Sequence, residues 1–279
     1  MTFPNATMAG AEAPAYNGRD VSAGGCGEMG GMKVWLARWV CLGVESNLQR
    51  AREEAQRAVS EGAQLVVFPE LFLTGYTRSL DPAVARALFA EVSGAAPEAL
   101  LIFGSISEAR RNRVTAWCGG RELAAYDKVH LFRPNGEHEL WDPGESYVAF
   151  AWRGRRIGLL NCNDLRFPEQ ARALKLKARC DVLVAPAWWP WRRDHIWRTL
   201  LQARAAENQL WVLGCAISGS VWPGEDFAGA GNHVFDPAGE PVRTADDRTY
   251  ELDFDSPPPS IVDPVEQYIA VEHLEVFEE

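Results

Sequence analysis

Ile157-Gly158-Leu159-Leu160-Asn161-Cys162-Asn163-Asp164-Leu165-Arg166-Phe167-Pro168-Glu169 reads as an apolar strand, a sharp polar turn and the start of a helix. Pro168 stands at a first-turn position that a helix tolerates. The helix is predicted to run to Ala178, and Val182–Ala185 behind it is again a short apolar strand. Upstream, Tyr147–Trp152 and Arg156–Leu160 read as a hairpin around Gly154. Downstream, Asp194 is placed to cap a helix reaching about Gln209, and Leu210–Ala216 and His233–Asp236 are the last clear strands.

The N-terminal half repeats the alternation. Val34–Ala37 reads as a buried strand, and Ser46 to Gly62 as a helix with a Ser46/Gln49 capping box and Gly62 at C′. Leu48, Ala51, Ala55 and Val59 line one face of that helix. Leu65–Phe68 is a continuous apolar run of the kind covered on both faces. A second helix is predicted from Pro82 to Val92, then strands at Leu100–Ser105, Val114–Trp117 and Glu122–Tyr126. Strands alternating with helices and interrupted by hairpins imply one α/β domain with a mixed sheet system.

The expected division is a disordered extension over 1–31, a single domain over 32–255, and an acidic tail over 256–279 that opens on Pro257-Pro258-Pro259. Met32 is a plausible start of the ordered chain. The net charge of −10 argues against a partner such as nucleic acid, which needs a basic face. No apolar run approaches the roughly 18 residues of a membrane span. The six cysteines, at 26, 41, 118, 162, 180 and 215, form no C-x-x-C pair and show no zinc spacing with histidine. A reduced, cytoplasmic protein without metal is expected, with five of the cysteines as buried packing residues.

In α/β folds ligands gather at the carboxyl ends of strands. Three such segments carry reactive side chains. Glu70 follows the Leu65–Phe68 run, and a carboxylate drawn toward the interior has the raised pKa of a general base. Lys128 ends the strand before Val129-His130-Leu131-Phe132, where an ammonium can hold a developing oxyanion. Cys162 lies on the strand-to-helix turn, where backbone N–H groups form an oxyanion hole and a helix start and a lysine favour thiolate. Taken singly, Glu70 and Lys128 are residue types found mostly in solvent. His130 is read as a structural hydrogen-bonding residue.

In order and with their neighbours the three segments resemble the nitrilase, or carbon–nitrogen hydrolase, superfamily. The similarity rests on Pro69-Glu70-Leu71-Phe72, Tyr126-Asp127-Lys128, Cys162 through Glu169, Ala203-Arg204-Ala205-Ala206-Glu207-Asn208-Gln209 and Asp236-Pro237-Ala238-Gly239-Glu240. It spans about 32 to 245. The resemblance implies a four-layer αββα sandwich, a Glu70-Lys128-Cys162 triad without cofactor, and a homodimer or higher homo-oligomer. It also implies a second glutamate after the lysine. Glu137 is the candidate, with Glu139 and Glu145 as competing assignments. The Arg133–His138 stretch and Trp188-Trp189-Pro190 are similar to the omega-amidase branch, whose substrates are small omega-amides of dicarboxylic or 2-oxo acids. Arg166, Arg192 and Arg193 are then candidate partners for the free carboxylate. Trp188 would wall the pocket, and Asn163 would lend its backbone N–H to the oxyanion. Asn161, Asn163, Cys215-Ala216 and Asn232 depart from the family's usual residues, so an N-carbamoyl amino acid hydrolase, a nitrilase and a non-catalytic scaffold remain rival readings.

Overall fold

A computed structural model describes residues 31–221, 226–227, 231–256, 258 and 262–269. Residues 1–30 of the extension expected over 1–31, and the acidic run Glu272–Glu279, lie outside the described residues. In chain order the first half holds β1 (Gly31–Leu36), β2 (Trp39–Cys41), α1 (Val44–Ser60), β3 (Leu65–Val67) and α2 (Pro82–Ala95). It continues through β4 (Leu100–Glu108), β5 (Arg111–Cys118), β6 (Arg121–Asp127) and the single turn α3 (Glu137–Leu140). The second half holds β7 (Val148–Trp152), β8 (Arg155–Leu159), α4 (Pro168–Ala178), β9 (Val182–Ala187) and α5 (Asp194–Asn208). It ends with β10 (Trp211–Ser220), β11 (His233–Phe235), β12 (Pro241–Val242) and β13 (Thr249–Asp253).

The strands form two mixed sheets, ordered β13-β1-β3-β4-β5-β6 and β12-β11-β10-β9-β8-β7, with β2 added beside β10. Side-chain alternation along each central strand builds the layers. Val34 and Leu36 of β1 face the second sheet and pack with Ile157, Leu159, Val184 and Leu213. Trp35, between them, turns to the other face and joins Ala51, Ala55, Leu88 and Phe89 of α1 and α2. In the second sheet Leu183, Ala185 and Val212 meet Leu174 of α4 and Trp197 and Leu201 of α5. Helix, sheet, sheet, helix is therefore the layer order, the sandwich expected from the sequence.

Several boundaries differ from expectation. The helix read from Ser46 starts at Val44, behind Gly43, and no side chain caps it. Gln49 donates instead to Glu53, four residues on (2.8 Å), so the Ser46/Gln49 box does not form. The fully buried stripe is Asn47, Ala51, Ala55 and Ala58, with Leu48 and Val59 at its margin. Gly62 does take the left-handed conformation of a C′ residue (φ 88°), and its N–H reaches the Val59 carbonyl (2.9 Å). Asp194 is not a cap. It is the first residue of α5, and its carboxylate pairs with His233 Nε2 at 3.0 Å.

Three strands escaped the sequence reading: β2, the two-residue β12, and β13. β2 is only three residues long, too short for a period to show. β13 alternates buried Tyr250 and Leu252 with exposed Glu251 and Asp253, and pairs antiparallel with β1 from Gly31↔Asp253 to Trp35↔Thr249. Gly31, assigned to the extension from sequence, therefore opens the first strand. One glycine governs how the first sheet meets the reactive loop. A Cβ on Gly104 of β4 would lie 1.7 Å from the carbonyl oxygen of Pro69, so only glycine lets β4 pass beneath the Phe68–Glu70 turn.

Candidate active site

Each reactive side chain sits just beyond a strand end. β3 continues as far as Phe68, whose N–H donates to the Ile102 carbonyl (2.9 Å), and the chain then turns so that Glu70 points inward. Leu71 takes a left-handed backbone (φ 48°) and its N–H is held by Ser105 Oγ at 3.1 Å. Lys128 follows β6, with its N–H on the Asn112 carbonyl (2.9 Å) and its own carbonyl accepting from Gly144 (2.8 Å). Gly136 (φ 72°) reverses the chain before α3 and turns Glu137 toward the same centre. Cys162 follows β8 with φ 52°, a left-handed residue at the head of a short 3-10 turn.

Glu70, Lys128 and Glu137 are all completely buried, and Cys162 is 6% exposed. Lys128 Nζ bridges Glu70 Oε1 (2.8 Å) and Glu137 Oε1 (2.9 Å). Glu70 is held from two further directions, by Asn112 Nδ2 on Oε1 (2.9 Å) and by the Trp188 N–H on Oε2 (2.9 Å). Glu137 accepts from Tyr76 OH on Oε1 (2.7 Å) and from the Phe132 N–H on Oε2 (2.7 Å). Of the three glutamates weighed from sequence, Glu137 alone joins this centre. Glu139 is exposed, and the Glu145 side chain, 86% exposed, lies by Arg111.

Asp164 ties the Cys162 turn to the Lys128 strand. Its buried carboxylate accepts from Tyr126 OH (2.7 Å), the Asn161 N–H (2.8 Å) and the His130 N–H (2.8 Å), and it meets His130 Nδ1 at 2.9 Å. His130 stacks on Phe167 with ring centroids 3.8 Å apart. It serves the framework, as its reading from sequence holds. The Asn163 amide donates to the His130 carbonyl (3.0 Å), so this side chain too braces the turn.

Electrostatics alter one expectation. Burial pushes the Cys162 thiol well above its usual range, and the nearby Glu70 charge adds to this; Lys128 only partly opposes them. α4 begins at Pro168, a full 3-10 turn beyond the sulfur. The burial and the neighbouring carboxylate favour the thiol, against the thiolate expected from a helix start and a lysine. Burial likewise raises Glu70, against the pull of Lys128, and Glu137 raises it further. For Lys128 burial works against the charge, but Glu70, Cys162 and Glu137 together outweigh it and hold the ammonium. A neutral thiol beside a carboxylate with raised proton affinity is a donor–acceptor pair ready to exchange one proton.

A cavity of about 300 Å³ opens onto Cys162. Tyr76 and Trp188 form one wall, their rings edge to face at 5.6 Å, and Asn163 and Phe132 also line it. The Trp188 carbonyl lies 3.9 Å from Cys162 Sγ. Arg166, Arg192 and Arg193 all reach the cavity. The Arg166 guanidinium stands 4.8 Å over the Trp189 ring, and its buried Nε has no hydrogen-bond partner. Sequence reasoning missed Tyr76, Asn112 and Asp164. Asn112 left one signal, a polar residue in the run Arg111–Cys118 whose inner positions are apolar. Among the described residues no cluster of His, Cys, Asp and Glu is arranged to hold a metal, and no helix is long and apolar enough to cross a membrane.

The carbon–nitrogen hydrolase family model matches residues 34–250. The omega-amidase YafV of Escherichia coli K12 is 33% identical over 228 residues, which cover 78% of this chain and 86% of the relative. The 2-oxoglutaramate amidase of Bacillus subtilis is 32% identical over 197 residues, covering 64% and 73%. Among solved structures, a Nesterenkonia amidase with acrylamide added at its active-site cysteine matches with a TM-score of 0.69 and 25% identity. That match covers 85% of this chain and 95% of the other.

Proposed function

This chain belongs to the carbon–nitrogen hydrolase family, and from that premise we propose that it is a cysteine-dependent amidase for small omega-amides of dicarboxylic or 2-oxo acids. The observation that carries the reading is the buried Glu70–Lys128–Glu137 network, tied through Tyr76 and Trp188 to a cavity that Cys162 and three arginines line. The catalytic unit is assigned to 32–255, acting as a homodimer or higher oligomer.

Glu70 takes the thiol proton as Cys162 Sγ attacks the amide carbonyl. Burial and Glu70 disfavour a free thiolate, so proton transfer accompanies the attack in this reading. The carbonyl oxygen gains the negative charge, and Lys128 and the Asn163 backbone N–H hold it. As the tetrahedral intermediate collapses, the C–N bond breaks and the proton on Glu70 passes to the nitrogen, which leaves as ammonia. The acyl group stays on sulfur as a thioester. Glu70 then takes a proton from water, whose oxygen attacks the thioester, and the acid leaves as sulfur recovers its proton. Glu137 keeps Lys128 and, through it, Glu70 in place. Each step draws only on residues of the chain and on water.

The distal carboxylate of such a substrate needs a cation in a cavity with apolar walls. Arg166 suits this role, since its Nε is buried without a partner and its guanidinium is already steadied by Trp189. The side-chain N–H groups of Asn161 and Asn163 are engaged with Asn112 and His130, so they give no separate reason for a carbamoyl substrate.

The test is ammonia release from 2-oxoglutaramate, succinamate, glutamine, N-carbamoyl amino acids and a simple nitrile, with Cys162→Ala as control. Release from either of the first two, lost in the variant, is expected. Release only from a carbamoyl compound or the nitrile would keep the nucleophile and overturn the substrate. Release undiminished in Cys162→Ala would overturn the mechanism.

A further inference from the structure

Glu70 is reached by a second hydrogen-bond chain that the mechanism does not use. Asn112 Nδ2 donates to Glu70 Oε1 (2.9 Å), and Asn112 Oδ1 accepts from Asn161 Nδ2 (3.0 Å). Both amides are buried, Asn161 completely and Asn112 to within 1%. Asn161 immediately precedes Cys162, so the chain joins the nucleophile's turn to the carboxylate. Its far end is weakly held: Asn161 Oδ1 is buried and faces the Asp164 N–H in a capping box, but makes no hydrogen bond of normal geometry. The Asp164 N–H beside it is spent on the Asn161 backbone carbonyl (3.1 Å).

That weakly held oxygen shows which end sets the orientation. A primary amide has an acceptor end and a donor end, and turning it over exchanges them. An ionised Glu70 can only accept, so Asn112 must present its NH2, which leaves its oxygen facing Asn161. Asn161 must then present its own NH2, and its oxygen is left with no donor but the Asp164 N–H. Reversing both amides would bring the Asn112 oxygen against Glu70, a contact that only a protonated carboxyl satisfies. A buried acceptor without a full hydrogen bond is costly and rare. Its presence is accounted for if the charged form of Glu70 dictates the whole chain.

We propose that Asn161 and Asn112 are positioning residues, a polarity relay that holds Glu70 in the proton-accepting form and couples it to the Cys162 turn. The inference rests on the reading of Glu70 as general base. The other groups facing Glu70 are Lys128, Glu137, Cys162 and Tyr76, and all of them are unchanged when Asn161 is replaced. In Asn161→Leu the Asn112 oxygen loses its donor, and the amide is no longer held with its NH2 toward the charged Glu70. The carboxyl should hold its proton to higher pH, by about one unit for a lost hydrogen bond of this type. Asn161→Ser, too short to reach Asn112 and too small to clash, should shift it the same way.

The test needs no knowledge of the substrate. The rate of Cys162 alkylation by iodoacetamide, located by mass spectrometry, is measured against pH for the native protein, Glu70→Gln, Asn161→Leu and Asn161→Ser. The native protein is expected to show an acid limb that Glu70→Gln lacks, and the Asn161 variants to move that limb upward. A native limb that neither folded Asn161 variant moves, whether rates are unchanged or uniformly lowered, would overturn the relay and leave Glu70 as base. A native profile identical to that of Glu70→Gln would overturn the base assignment and the relay together.

Discussion

Replacing Lys128 by methionine keeps the length of the side chain and removes its charge. In the native protein this ammonium is the shared partner of Glu70 (2.8 Å) and Glu137 (2.9 Å), and all three groups are fully buried. Without it two carboxylates converge on an apolar side chain with no cation between them. Breaking a buried ion pair from one side costs about 3–5 kcal/mol, and like charges at this range cannot both stay ionised. The variant is therefore expected to bind one extra proton when folded. The sign follows from linkage: a carboxyl whose folded pKa is raised contributes stability below its unfolded pKa and loses it as pH rises. The deficit against the native protein should be smallest in acid and grow by at most about 1.4 kcal/mol per pH unit above the ordinary glutamate range. Urea unfolding at several pH values reads this directly. The double variant Lys128→Met/Glu137→Gln, with one charge fewer, should recover most of the loss at neutral pH without recovering activity. A deficit of equal size at every pH, or a double variant less stable than the single one, would refute the reasoning.

Three further outcomes follow from the same geometry. Because Cys162 sits at φ 52°, Cys162→Gly should be more stable than Cys162→Ala by about 1 kcal/mol, and equal melting temperatures would argue against a strained turn. Glu137→Gln should lower kcat by about 100-fold or more, whereas Glu139→Gln and Glu145→Gln should leave it unchanged; the opposite pattern would reassign the second glutamate. Gly104→Ala forces β4 away from the Pro69 carbonyl and should cost about 3 kcal/mol or more, with kcat falling alongside stability; native-like activity would show that the Glu70 turn tolerates the shift.

Much of this was legible in one dimension. The layers follow from the continuous apolar runs of β3, β4 and β9, which need cover on both faces, and the Cys162 turn from an apolar run stopped by Asn161-Cys162-Asn163-Asp164 and restarted at Pro168. The same logic exposes what was missed. Thr249–Asp253 alternates as clearly as any strand, yet its place is settled only by pairing with β1 across the length of the chain. The Ser46/Gln49 box was a correct local motif that lost to Gly43, because the helix entry is set by where β2 delivers the chain.

That Glu70, Lys128 and Cys162 each stand at the end of a strand can be read along the chain, since apolar runs and turn chemistry are local properties. That Glu137, rather than Glu139 or Glu145, reaches the lysine depends on the folded chain, because a left-handed Gly136 and a one-turn helix aim it. The bias of the sulfur toward its thiol form likewise comes from the assembled fold, because its proton affinity depends on burial and on carboxylates distant in sequence. Asn112 and Tyr76 belong to the same class. A lone polar residue in a strand or loop carries no mark of its partner, and hydrogen bonds spanning 42 residues to Glu70 and 61 to Glu137 exist only once the first sheet has brought β3, β5 and the segment after β6 together.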